Sequence, residues 1–105
     1  MKYSRKFLEY LKKKIDIMEV IKDELGGDVK FKKVGFSDFL ILCPFHQEKK
    51  RSFRIHLIYE GYYVYRCFGC QRGGDVVRFI MSLKNLSFNH AIKYLTKKYK
   101  IAGCK

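Results

Sequence analysis

Two short pairs of metal-ligating side chains, Cys43-Pro44-Phe45-His46 and Cys67-Phe68-Gly69-Cys70, constrain this chain more than anything else in it. Each pair has two intervening residues, a spacing that lets both ligands of a tight knuckle turn inward onto one ion. Twenty residues separate His46 from Cys67, enough for two strands and a connection that returns the second knuckle to the first. Four N/S ligands in tetrahedral array are what Zn²⁺ prefers, and a complete Cys₃His set leaves no open coordination position. The sequence therefore predicts one structural zinc, held by Cys43, His46, Cys67 and Cys70. Two plainer accounts compete. Cys67 and Cys70 alone could form a thioredoxin-like redox pair, but that motif needs a βαβ context and here follows a tyrosine-rich stretch. Cys43 and His46 could be ordinary buried residues, but two pairs at knuckle spacing argue against it. Cys104 lies near the end of the chain and reads as a plain free thiol.

A metal is also what a chain of this size needs. With 105 residues, it can build one modest core, and small domains often need a metal or disulfide to supplement it. We expect a single domain over 1–105, with its core over about 4–100. Lys and Arg total 23 against 10 Asp and Glu, a net charge of +13 that points to a polyanionic partner. No apolar run approaches the roughly 20 residues needed to cross a bilayer, and no signal-like core follows the basic N-terminus. A cytoplasmic protein is expected, and in a reducing compartment closely spaced cysteines favour metal over disulfide.

Residues 4–25 carry apolar side chains at helical spacing (Phe7, Leu8, Leu11, Ile15, Met18, Ile21, Leu25). Asp16 and Glu19 suggest a capping box that splits the stretch into two helices near residue 15. Strand patterns follow over 29–34, 36–42, 53–57 and 62–66, with a turn at Glu60-Gly61 between the last two. Helix returns after Gly73-Gly74, capped by Asp75 and ended by Asn85. Ser87 opens a last helix whose stripe is Phe88, Ala91, Ile92, Leu95 and Tyr99. The order predicts an α+β fold: a zinc ribbon with a small antiparallel β-sheet flanked by N-terminal and C-terminal helices.

The residues within and around the knuckles resemble the zinc-binding domain of bacterial DnaG-type DNA primases. The resemblance runs through Cys43-Pro44-Phe45-His46-Gln47-Glu48-Lys49, Ser52-Phe53, Tyr65-Arg66-Cys67-Phe68-Gly69-Cys70 and Gly73-Gly74-Asp75, and covers about residues 4–100. Arg51 departs from it, standing where the family usually has proline. The resemblance implies a domain that binds single-stranded template DNA and helps to start RNA primers in DNA replication. It also implies work beside a primase polymerase domain and a replicative helicase, in cis or in trans. The ten acidic residues show no Asp-x-Asp pair to hold Mg²⁺, so this chain is not expected to join nucleotides by itself.

Single strands are held by a basic groove with aromatic platforms for the bases. The candidate contacts are Lys49, Lys50 and Arg51 after the first knuckle, Arg54 and His56 on the outer side of one strand, and Arg66 and Arg72 around the second knuckle. Tyr63 is the candidate stacking residue, although its strand parity with Cys67 equally suits core packing. A rival function is a zinc ribbon that uses the same scaffold for protein interaction or transcription regulation.

Overall fold

In the computed structural model, residues 3–45 and 51–101 are described. Helix α1 (Arg5–Lys14) starts at Ser4, whose Oγ accepts from the Phe7 amide. Helix α2 (Ile17–Leu25) starts at Asp16, whose Oδ1 accepts from the Met18 amide at 2.9 Å. Asp16 is thus a simple N-cap. The reciprocal bond expected from Glu19 is not formed among the described residues, because Asp16 is committed to the second helical amide rather than the third.

Five strands follow: β1 (Lys32–Val34), β2 (Asp38–Ile41), β3 (Phe53–Leu57), β4 (Tyr63–Cys67) and β5 (Gly73–Gly74). They form one antiparallel sheet in the order β1-β2-β3-β4-β5. Strand β2 starts later than its sequence pattern because Gly35, at φ +64°, gives residues 35–37 to the turn, and β1 begins at Lys32 rather than at residue 29. Strand β5 was not expected. Gly73 lies so close to Tyr65 that a Cβ there would sit 3.0 Å from the Tyr65 carbonyl oxygen, so glycine is what permits the pairing.

Helices α3 (Val76–Lys84) and α4 (Phe88–Lys98) are capped as the sequence predicts. Asp75 and Ser87 accept from the Arg78 and His90 amides, and Asn85 ends α3 in the left-handed conformation.

Strand parity divides the sheet into two faces. Ile41, Phe53, Ile55, Tyr65 and Cys67 point to the core and are buried, together with Leu11, Ile17, Val20 and Ile21 from the first two helices and Val76, Val77, Phe79, Ile80, Ala91, Ile92 and Leu95 from the last two. The centre is aromatic: Phe53 and Tyr65 stack at 4.9 Å, and Phe79 meets both edge-on. A polar tie joins α2 to the C-terminal helices. Glu24 receives Lys84 at 3.1 Å, Lys98 at 3.0 Å and the Tyr94 hydroxyl, and Asp23 accepts from the Tyr99 hydroxyl at 2.6 Å.

Candidate metal centre and nucleic-acid interface

Cys43 follows β2 and Cys67 closes β4, so antiparallel pairing through β3 brings both to one end of the sheet. Cys70 reaches the same point through the turn after β4, which is pinned by Gln71 N–H to the Cys67 carbonyl at 2.9 Å and Cys67 N–H to the Arg72 carbonyl at 2.8 Å. Gln71 takes φ +67° to make this turn. The Sγ atoms of Cys43, Cys67 and Cys70 all lie within 4.8 Å of one another. Those of Cys43 and Cys70 are 3.8 Å apart. A disulfide needs about 2.05 Å. Two Zn–S bonds of about 2.3 Å at the tetrahedral angle place their sulfurs about 3.8 Å apart. The donor set therefore suits Zn²⁺.

The surroundings act differently on Cys43 and Cys67. The Phe45 amide points at Cys43 Sγ and the Cys70 amide at Cys67 Sγ, each at 3.4 Å. Burial works against ionisation of Cys67. The Ser52 hydroxyl at 3.5 Å and the amides of Cys70 and Gly69 outweigh it, so this thiol titrates below its ordinary range. Burial pushes the Cys43 thiol up. The first knuckle is anchored in the core through Phe45, whose ring lies 5.6 Å from Phe79, 6.0 Å from Phe53 and 6.1 Å from Tyr65.

His46, Lys49, Lys50 and Cys104 lie outside the described residues. The other candidates separate into three places. Arg72 lies over the Phe45 ring at 5.2 Å, bracing the knuckle by a cation–π contact. Arg51 is exposed and lines a cavity of about 470 Å³ with Leu42, Pro44, Ile41 and Val29, on the side of α2 and β1. Arg54, His56 and Arg66 come together on the open face of the sheet.

That face has a clear order. Lys32, Leu40, Arg54, Arg66 and Gly73 are successive cross-strand partners, so three cations lie in one row across the sheet. Arg54 and Arg66 stand directly opposite each other, a like-charge pairing that a sheet gains nothing from by itself. Beside them lies a groove of about 580 Å³, lined by Arg54, His56, Val64, Arg66, Phe68, Gln71 and Gly73. Phe68 is 59% exposed at one end of it, next to the metal ligands. Arg66 Nη2 donates to Gln71 Oε1 at 3.1 Å, and Gln71 Nε2 to the Phe68 carbonyl at 3.1 Å.

Tyr63 is elsewhere: it is half-buried and packs against the core side, opposite Leu57. Phe68 and Gln71 in the groove, and Asp38 beside it, were not singled out from sequence. Phe68 was hidden inside the knuckle motif and Gln71 directly after it. Asp38, which receives both Arg54 and His56, could be found only by knowing which strands pair.

The CHC2 zinc-finger family model matches residues 3–104. Among similar proteins, the DNA primase of Thermotoga maritima is 39% identical over 94 residues, which are 90% of this chain and 15% of that protein. The DNA primase of Chlamydia trachomatis is 39% identical over 101 residues, 96% of this chain and 16% of that protein. The chain thus spans about a sixth of the length of these relatives. The crystal structure of the Aquifex aeolicus primase (zinc-binding and RNA polymerase domains) superposes with a TM-score of 0.68 at 30% identity, over 88% of this chain and 21% of that one.

Proposed function

We propose that this chain, which belongs to the CHC2 zinc-finger family of DnaG-type DNA primases, binds single-stranded template DNA on the open face of its sheet and so supports the start of RNA primer synthesis. The observation that carries this reading is the row Lys32, Arg54, Arg66 beside the metal end. Three cations in cross-strand register suit a strand of phosphates. The adjoining groove, with Phe68 at its end, suits unpaired bases. Within this reading one Zn²⁺ is structural, held by Cys43, Cys67 and Cys70 with His46 as fourth ligand. Its role is to fix the end of the sheet next to the DNA. Lys49 and Lys50, which lie outside the described residues, and Arg51 are further proposed DNA contacts, and Arg72 acts mainly by holding Phe45.

Nucleotide joining belongs to a primase polymerase domain. That domain and a replicative helicase are the proposed partners, in cis or in trans, and the proposed setting is the cytoplasm. Among the described residues no helix is long and apolar enough to cross a membrane.

Titration of the zinc-loaded protein with single- and double-stranded oligonucleotides over a series of salt concentrations tests the proposal. The expected result is a preference for single strands and an affinity that falls with salt at a slope of about −0.7 per phosphate contacted. Equal affinity for both forms, or binding indifferent to salt, refutes it.

A further inference from the structure

Asp38 is a buried carboxylate, and it lies on the open, cation-bearing face of the sheet. A carboxylate amid a surface for a polyanion weakens that surface unless it does something for the cations around it. Its contacts show what that is. Asp38 faces His56 directly across the β2–β3 ladder, with Oδ1 2.6 Å from His56 Nδ1. Its Oδ2 lies 2.6 Å from both Nε and Nη2 of Arg54, two residues before His56 on the same strand. The guanidinium is therefore gripped by its inner edge. The outer edge, carrying Nη1, is turned away from the carboxylate, on a side chain that is 42% exposed. Facing a carboxylate, His56 donates from Nδ1 and so braces Oδ1 while Oδ2 is left to Arg54.

We propose that Asp38 is a positioning residue: it holds Arg54 preorganised to receive a phosphodiester of a single strand, while His56 braces the carboxylate from its other oxygen. An unrestrained arginine loses rotamer freedom when it binds phosphate. Here that ordering is already made in the free protein, and the planar fork presents two parallel donors to the ligand. The proposal rests on the reading that this face binds single-stranded DNA, and it makes a prediction of opposite sign to simple charge counting. Removing a negative charge from a DNA-binding face should tighten binding. Removing Asp38 should loosen it.

The test uses the zinc-loaded full chain and a fluorescent oligothymidylate of about 15 nucleotides, followed by anisotropy over a series of salt concentrations. The variants are Asp38→Asn, which keeps the side-chain shape, Asp38→Ala, Arg54→Ala and the double variant Asp38→Asn/Arg54→Ala. The expected result is about five-fold weaker binding by Asp38→Asn and a salt slope shallower by about 0.7, the equivalent of one lost phosphate contact. In the Arg54→Ala background, Asp38→Asn should have no further effect.

Tighter or unchanged binding by Asp38→Asn, with the parent still binding, overturns the proposal and leaves the DNA-binding reading standing. Equal weakening in both backgrounds also overturns it, since a purely structural carboxylate would act regardless of Arg54. Failure of the parent to bind any single strand removes the reading and this proposal together.

Discussion

Replacing Arg66 by threonine should leave stability almost unchanged and make the protein a worse DNA binder. Arg66 stands across from Arg54 on the neighbouring strand. Two unit charges about 6 Å apart repel by roughly 0.7 kcal/mol in water, and physiological salt about halves that. Asp38, 2.6 Å from the Arg54 guanidinium, cancels part of the remainder. Against the relief must be set the exposed bond from Arg66 to Gln71, worth about 0.5 kcal/mol. Threonine recovers a little of that through its fit to a strand. The terms nearly cancel, so the melting midpoint should move by less than about 2 °C in either direction for a domain of this size.

DNA binding, by contrast, should weaken. Loss of one exposed phosphate contact costs about 1 kcal/mol, a five-fold weakening that is the same for different strand sequences and lowers the salt slope by about 0.7. Calorimetry and anisotropy on the same zinc-loaded sample measure both. A variant that melts several degrees lower yet binds DNA as before would show that Arg66 serves the fold rather than a ligand.

Cys70→Ser should abolish stoichiometric zinc, and removal of zinc from the parent by a strong chelator should unfold the chain, because metal binding in small zinc modules supplies on the order of 10 kcal/mol; metal analysis with circular dichroism checks both. Glu24→Gln should cost about 2 kcal/mol at neutral pH, less than the sum of its three bonds because Lys84 and Lys98 stay partly hydrated. Burial alone would raise the Glu24 pKa, but Tyr94, Lys98 and Lys84 lower it overall. Its contribution is thus full above the unfolded value near 4.5 and is lost as pH falls through the folded one, so melts of parent and variant should converge in acid. Gly74→Ala should destabilise by about 2 kcal/mol in denaturant titration, since Gly74 has φ +149° and a new Cβ would sit 2.6 Å from Arg78 Cβ.

The helices were legible because their signals are local. Asp16, Asp75 and Ser87 cap where their side chains can reach an amide two or three residues on, and Asn85 stops α3 by its own backbone preference. Strands β3 and β4 were legible because aromatic and β-branched residues alternate there, and the cysteines because knuckle spacing is a local property too. What escaped depends on pairing between distant segments. Strand β5 has no side chains to announce it, and only the close approach of Tyr65 makes Gly73-Gly74 a strand. Asp38 read as one more polar residue near a turn, since nothing local places it between Arg54 and His56. Tyr63, one of two readings from strand parity, lies on the half-buried core side because β4 alternates inward at 63, 65 and 67.

The two cysteine-bearing strands are not neighbours: β3 runs between β2 and β4, while the sulfur cluster joins the ends of the outer two. An ion bound there would act as a clasp over three strands. Sliding any of them by one residue would shift the ladder by about 3.3 Å and turn each side chain to the opposite surface, carrying a thiolate away from its coordination sphere. The alignment of Arg54 and Arg66 would thereby be inherited from the coordination geometry. Its spacing would stay fixed without the cations having to attract one another.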